Sequence, residues 1–372
     1  MKVVITGANG FIGRNLVAEL SRFPESYELF KVDLDTPKER LNEWLASCDA
    51  VVHLAGINRP LNVSEFKTGN VDFTSEMLTQ LCESGNPVPV IMTSSIQAAL
   101  DNPYGTSKLQ AEFVMFSYSK AQKTPVYVFR LPNVFGKWCR PNYNSAVATF
   151  CNNIANDLPI EVNAPERVMT LVYIDDVILS IKEALDKGYT ASEDGFCAVR
   201  TTYSATLQYI ADKIKEFHEA RKSLVMPSLA DGLDKALYST YLSYLPRDGF
   251  SYKLTKHSDE RGMFAEFFKT NGTGQISVSS SAPGITRGNH WHHTKVEKFL
   301  VVSGEAAVRF RKIDEDEVIE YNVTGDEPTV VDIPVGYTHS ITNTSKTKEL
   351  ITIIWANELF DEKRPDTYFL EV

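Results

Sequence analysis

Apolar residues recur along this chain in two different rhythms. Up to about Leu245, short β-rich runs, "KVVIT", "AVVHLAG", "VPVIMTSS" and "VYVFRLPNVFG", alternate with longer helix-like stretches such as "RNLVAELSRF" and "SKLQAEFVMFSYSKA". That alternation predicts βαβ units, hence an α/β domain built on a Rossmann-type parallel sheet. From about Phe250 the helical stretches stop. "GQISVSSSAPG", "KFLVVSGEAAVRFRK", "VIEYNVTGDEPTVVDIPVG", "SITNTS" and "ELITIIWAN" are short strands divided by turns, the pattern of an antiparallel barrel or sandwich. Between the two halves, "YSTYLSYLPRDGFSY" is aromatic and reads as a packed connector, because a flexible linker would be rich in Gly and Ser. The texture therefore predicts two domains, residues 1–245 and 246–372, and 372 residues suffice for each to bury its own core.

Composition narrows the partners. Hydrophobic residues make up 43% of the chain and charged residues 23%, which gives no reason to expect extensive disorder. The formal charge of −10 and the lack of a basic run argue against nucleic acid or an anionic membrane as a partner, while leaving room for a local pocket that takes a phosphorylated small molecule. Five scattered cysteines with no CxxC pair suggest free thiols in a reducing compartment, and the cytoplasm is expected. The chain enters a strand at once, "MKVVITGANG", without the features of a signal peptide, and no apolar run is long enough to span a bilayer, so no membrane insertion is expected.

"VVITGANGFIG" sets Gly7, Gly10 and Gly13 between a first strand and the start of a helix. Small residues there let backbone amides approach a pyrophosphate at a helix N-terminus, where the dipole favours negative charge. Any tight strand-to-helix turn also needs glycine; the context here adds a second strand, "YELFKVDLD", with acidic residues about 20 positions on. Asp33 in that strand could hydrogen-bond an adenosine ribose and repel a 2′-phosphate, favouring NAD, whereas Arg14 could pair with the 2′-phosphate of NADP. Cofactor preference stays open on these residues. "NPYGTSK" spaces Tyr104 and Lys108 one helical turn apart, so both can face one site, and a cationic Lys108 beside the phenol would lower its pKa. Upstream, "IMTSSIQ" ends a strand in Ser94 and Ser95, either of which could hold a carbonyl oxygen or merely shape a turn.

"TGANGFIG", "VVHLAG", Asn70 in "GNVDFTSEM", the Ser/Tyr/Lys set, "RLPNVFG" and "VYIDDV" run in order over roughly the first 180 positions and resemble the extended short-chain dehydrogenase/reductase family. The resemblance implies that Gly7, Gly10, Phe11, Ile12, Gly13, Arg14, Asp33, Leu54 and Ala55 hold a dinucleotide. It implies that Ser95, with Ser94 the adjacent alternative, orients the substrate oxygen, that Tyr104 exchanges its proton and that Lys108 holds the nicotinamide ribose. Pro132 and Asn133 would line the nicotinamide and substrate pocket. Members of this branch commonly act on nucleotide-linked sugars.

In the second half, "NHWHHTKVEKF" gathers three of the seven histidines. His290 and His292 are two apart and share a strand face, while His293 points away. Gly284, His290, His292, Glu297 and Gly304, followed by Pro334, Gly336, His339 and Asn343, resemble the two motifs of the cupin family, whose fold is an all-β double-stranded helix, or jelly roll. Pro328 stands where the second motif usually has a glycine, which implies a changed opening turn. His290, His292, Glu297 and His339 then form a candidate metal site. Three imidazoles and a carboxylate suit a borderline divalent ion such as zinc, although iron, nickel and manganese are also used in this fold. Tyr337 and Lys298 are candidates for a proton-transfer role by position only.

As a whole, a reductase fused to a cupin and ending in "PDTYFLEV" is similar to a family of bifunctional capsular-polysaccharide enzymes. The resemblance implies a UDP-linked 4-ketosugar substrate, C3 epimerisation in the zinc-binding cupin domain and C4 reduction by NADPH in the reductase domain, with NADH possible because of Asp33. It implies a place in UDP-N-acetyl-L-fucosamine and capsule synthesis. A homodimer, the commonest symmetric assembly, is expected. Two other readings compete: a non-enzymatic dinucleotide sensor whose cupin binds an effector, and a metal-dependent cupin oxygenase joined to a dehydrogenase. Turnover of a 4-ketosugar separates the first from an enzyme, and iron content with oxygen uptake would mark the second.

Overall fold

A computed structural model describes residues 1–372. Five apolar runs of the first half become one parallel sheet: β1 (Lys2–Thr6), β2 (Glu28–Val32), β3 (Ala50–His53), β4 (Val90–Ser95) and β5 (Val126–Leu131), in spatial order β2-β1-β3-β4-β5. Successive residues of β1 face opposite sides, so Val3 and Ile5 join one core with Leu16, Leu20, Val177 and Ile181, while Val4 joins another with Leu81 and Met115. Burial on both faces is what a parallel sheet covered by helices requires. β2 and β3 flank β1, and the sheet reverses direction of growth there. The crevice beyond the carboxyl ends of β1 and β3 is the usual ligand position of such a sheet. A small sheet of Asn133–Phe135, Val168–Tyr173 and Tyr203–Thr206 completes this half.

Close contacts divide the chain into two units, Met1–Lys215 with Asp231–Pro246, and Glu216–Ala230 with Arg247–Val372. Sequence texture assigns everything up to 245 to the first domain, but the structure places Glu216–Ala230 with the second unit. The reason is a two-residue strand, Val225–Met226, that pairs in parallel with Lys269 and Thr270, reinforced by Lys269 N–H donating to the Leu224 carbonyl at 2.9 Å. So short a strand has no readable periodicity.

The second unit holds two antiparallel sheets. Gly274–Ser281, Leu350–Ala356, Glu297–Ser303 and Val330–Ile333 lie side by side in one, with Lys256–Asp259 and Gly262–Thr270 beyond Gly274–Ser281; Val318–Thr324, Glu305–Lys312, Tyr337–Asn343, Thr286–Trp291 and Tyr368–Phe369 form the other. This strand order is that of a jelly roll. Phe299, Val301, Ile333 and Leu350 from one sheet meet Val308, Phe310, Val323 and Ile341 from the other in a common core. One irregularity matters for the site. Gly288 (φ +98°) and Asn289 (φ +57°) make a bulge that brings His290 opposite His339, and a Cβ on Gly288 would sit 2.7 Å from the His339 carbonyl oxygen.

Phe310 is 3% exposed within that core. Phe310→Ala should destabilise the second unit by about 3–5 kcal/mol, read from chemical unfolding followed by Trp291 and Trp355 fluorescence. A loss below about 1 kcal/mol would mean the two sheets do not share this core.

Candidate active site and metal centre

The glycine loop is shaped by close approach. Gly7 has φ +66°, and a Cβ there would lie 2.8 Å from the Ala55 nitrogen; a Cβ on Gly13 would lie 2.2 Å from the Gly7 oxygen. The helix Phe11–Leu20 starts at Gly10 with no side-chain cap, so its first N–H groups are free for an anion. Phe11 and Ile12 pack their side chains against the first core. The N–H groups of Leu54 and Ala55 both reach the Thr6 hydroxyl oxygen at 3.2 Å, which fixes the loop after β3 beside Gly7. At the end of β2, Asp33 accepts from Asn9 N–H at 2.8 Å and Leu34 N–H at 2.9 Å, so its carboxylate already braces the glycine loop. The exposed Arg14 guanidinium lies 5.1 Å from the ring centre of Trp138.

β4 and the helix Pro103–Gln122 bring Ser95, Tyr104 and Lys108 together. The two serines part company because neighbours on a strand face opposite sides. Ser94 donates to Glu112 at 2.5 Å, and Glu112 is clamped by two bonds from Arg130, at 3.0 and 2.6 Å, making a buried structural network. Ser95 instead accepts from the Gln97 N–H at 3.1 Å and lies close enough to Tyr104 to act on its phenol. Lys108 is buried and donates to the Thr93 carbonyl at 2.9 Å. Burial pulls its pKa down to about 8 from the usual 10.5, with Glu112 opposing. The sequence expectation that Lys108 lowers the Tyr104 pKa is corrected here: burial raises the phenol, the Ser95 hydroxyl lowers it in part, and nearby Tyr143 raises it further. Pro132 follows β5, and the Asn133 amide donates to the Thr170 carbonyl at 3.0 Å.

Sequence reasoning passed over a buried relay beneath this trio. His53, at the end of β3, lies 2.8 Å from both the Thr6 and the Thr74 hydroxyls. Thr74 spends its proton on the Asn70 carbonyl at 2.6 Å, so it accepts from His53 Nε2–H, and Thr6 donates to Nδ1. Burial and the nearby Lys108 charge hold His53 neutral, with a pKa of about 3. Asn70 sits in a π-helical turn, Lys67–Asp72, and its amide joins Ile57 and Ser107 at 2.7 to 2.9 Å. The "VVHLAG" run carried the signal, since a polar residue closing a fully apolar strand must find partners inside.

In the second unit His290, His292, Glu297 and His339 bring one ligand atom each to within 4.8 Å of one another. Glu297 Oε2 is 3.4 Å from His339 Nε2 and 3.7 Å from His292 Nε2. His292 Nε2 and both His339 nitrogens are buried without a hydrogen-bond partner, a costly state that a bound cation would relieve. Burial, followed by the His339 neighbour, lowers the His290 pKa to about 4, so that imidazole offers a lone pair at neutral pH. Burial pushes Glu297 up, but the adjacent His292 and His339 imidazoles and the Lys295 charge hold it far below the usual carboxylate range. Three imidazoles and an ionised carboxylate fit a zinc-like ion. His293 turns out against Trp291 and Tyr368, at 4.5 and 5.1 Å between ring centres. Lys298 pairs with Asp332 on the exposed face and Tyr337 packs on the core, whereas Lys295 approaches the cluster, 3.8 Å from Glu297.

A parallel sheet with a glycine loop and a Ser/Tyr/Lys cluster, followed in the chain by a jelly roll with a His/Glu cluster, defines the class. Residues 3–194 match the NAD dependent epimerase/dehydratase family and residues 257–368 the polysaccharide biosynthesis C-terminal domain, and the chain belongs to that epimerase/dehydratase family. It is 45% identical over 372 residues to the UDP-2-acetamido-2,6-beta-L-arabino-hexul-4-ose reductase of Pseudomonas aeruginosa, covering 100% of this chain and 99% of that protein. The crystal structure of the capsular polysaccharide assembling protein CapF from Staphylococcus aureus shares its fold with a TM-score of 0.94 and 49% identity, covering 100% of both chains. The spore coat polysaccharide biosynthesis protein SpsL of Bacillus subtilis is 31% identical over 125 residues, 31% of this chain and 82% of that protein.

The Lys108 pKa has a measurable consequence. An unfolded lysine keeps its proton to about 10.5, so below pH 8 the folded chain bears the whole burial penalty, which fades as pH rises from about 8 to 10.5. Lys108→Met should therefore stabilise the cofactor-free protein at pH 7 by on the order of 1–3 kcal/mol, with the gain vanishing above pH 10.5. A pH-independent difference in unfolding free energy would contradict the burial of the ammonium.

Proposed function

We propose that the chain is a bifunctional nucleotide-sugar enzyme. The second unit epimerises C3 of UDP-2-acetamido-2,6-dideoxy-L-arabino-4-hexulose, and the first then reduces C4 to give UDP-2-acetamido-2,6-dideoxy-L-talose, toward UDP-N-acetyl-L-fucosamine and capsular polysaccharide. The observation that carries this reading is that each unit of one chain has its own reactive cluster, Ser95/Tyr104/Lys108 and His290/His292/Glu297/His339. The full-length likeness to a reductase of a UDP-linked 4-ketosugar supports the substrate class. The convergence of Ser95 and Tyr104 favours an enzyme over a dinucleotide sensor.

In the first unit a bound nicotinamide would supply the hydride for C4. Ser95 would orient the C4 carbonyl oxygen, and Tyr104 would give its proton to that oxygen as negative charge develops. Lys108, cationic at pH 7, would hold the nicotinamide ribose. The glycine loop and the uncapped helix start would take the pyrophosphate. In the second unit a divalent ion held by His290, His292, Glu297 and His339 would supply positive charge beside the sugar oxygens. The 4-keto group itself acidifies the C3 proton, so C3 inversion must precede reduction, which removes the carbonyl.

NADPH is the proposed reductant, with NADH admitted by Asp33. Because Asp33 also accepts from Asn9 N–H, alanine there would loosen the loop, whereas asparagine keeps an acceptor and removes the charge. Asp33→Asn should raise the NADPH/NADH ratio of kcat/KM about tenfold, roughly the effect of one charge pair worth 1.4 kcal/mol. An unchanged ratio would remove Asp33 from the ribose.

The two chemistries should separate by mutation. Tyr104→Phe should keep NADPH binding and C3 proton exchange with solvent while losing C4 reduction about 100-fold or more. His339→Ala should lose metal content and C3 exchange together, yet still reduce a 4-ketosugar that already has the product configuration at C3. Both substitutions abolishing both reactions, in folded protein, would contradict the division of labour.

A further inference from the structure

The C-terminal tail lies across the ligand-bearing strands of the second unit. Phe369 and Tyr368 pair antiparallel with His290 and Trp291, the Leu370 N–H donates to the Asn289 carbonyl at 3.0 Å, and Thr338, beside His339, donates its hydroxyl to the Leu370 carbonyl. The tail reaches the turn after His292 chiefly through Asp366, with Thr367 adding a bond from Lys295 Nζ at 3.0 Å. The Asp366 carbonyl oxygen is 2.6 Å from His292 Nδ1. A carbonyl only accepts, so Nδ1 carries the proton, and the lone pair is left on Nε2, the buried and unpartnered atom 3.7 Å from Glu297. The Asp366 carboxylate meanwhile accepts from the N–H groups of His293, Thr294 and Lys295 at 3.0, 2.9 and 2.9 Å, and from the Thr294 hydroxyl at 3.0 Å. Its backbone is held at φ +34°, in the left-handed region that non-glycine residues avoid.

We propose that Asp366 is a positioning residue of the metal centre. Its carboxylate ties down the turn 293–295, and this anchoring holds its own carbonyl against His292, fixing both the tautomer and the direction of Nε2 before an ion arrives. The proposal rests on the metal reading given above. Four hydrogen bonds to the carboxylate overcome an unfavourable backbone angle at a residue whose side chain bonds the turn between two candidate ligands. Partners that orient a ligating imidazole typically change metal affinity 10- to 100-fold, and they do so without touching the ion.

The test uses the full chain as wild type, Asp366→Gly and Asp366→Asn. Glycine keeps the left-handed angle and the carbonyl while removing the carboxylate; asparagine keeps an acceptor without the charge. Each protein is titrated with zinc against a chromophoric chelator, and the metal-free proteins are compared by NMR for a slowly exchanging His292 Nδ1–H. Asp366→Gly should weaken zinc binding at least tenfold and lose the protected imidazole proton, with Asp366→Asn between it and wild type. Should glycine prove too disruptive to fold, the asparagine variant alone carries the same comparison. Wild-type zinc affinity together with a protected His292 proton in the variants overturns the proposal and leaves the metal site standing. Failure of wild type to bind zinc stoichiometrically overturns both.

Discussion

Removing an ionisable group from water is costly unless something inside replaces the water, and each unit is organised around one place where that replacement is incomplete. Lys108 lies buried on a single carbonyl oxygen, that of Thr93. His292 and His339 bury ring nitrogens with no hydrogen-bond partner beside an ionised Glu297. Such arrangements persist only where the surrounding fold is rigid enough to forbid relaxation. In the first unit the rigidity comes from the Ser94–Glu112–Arg130 network on one side of β4 and the Thr6–His53–Thr74 relay under β1 and β3. In the second it comes from the bulge at Gly288 and Asn289 and from the tail at Asp366.

The two incomplete sites differ in what would complete them. Lys108 carries a positive charge at neutral pH, so an electron-rich ribose suits it. The histidines offer lone pairs together with a carboxylate, so a cation suits them. Proton donation beside a hydride acceptor and charge stabilisation beside an acidic C–H are the two capacities that inversion at C3 and reduction at C4 of one ketosugar require. On the proposed reading, separate units let each be tuned without disturbing the other.

Much of this was legible in the residues, for reasons that can be named. The glycine spacing of 7, 10 and 13 is forced by backbone approach, since a Cβ at Gly13 would meet the Gly7 oxygen at 2.2 Å, and a forced constraint leaves a mark in sequence. Histidines two apart on a strand likewise announce one face. The Ser94 and Ser95 choice was not legible, because it depends on Glu112 and Arg130, which approach from a helix and from β5. Nor was the rise in the Tyr104 pKa, which burial sets. Asp366 was invisible for the same reason: its partners lie 71 to 74 residues away, and nothing local in "PDTYFLEV" marks an aspartate that holds a distant turn.

The account stands or falls on whether one chain performs both steps in order. The most direct measurement is to convert the UDP-linked L-arabino-4-hexulose in deuterium oxide with unlabelled NADPH and to determine by NMR and mass spectrometry which carbons of the product carry deuterium. The account predicts an inverted C3 bearing solvent deuterium next to a C4 bearing protium from the cofactor. A product reduced at C4 with its original C3 configuration and no deuterium at C3 would contradict it, leaving a reductase joined to a jelly roll that does no chemistry on this sugar.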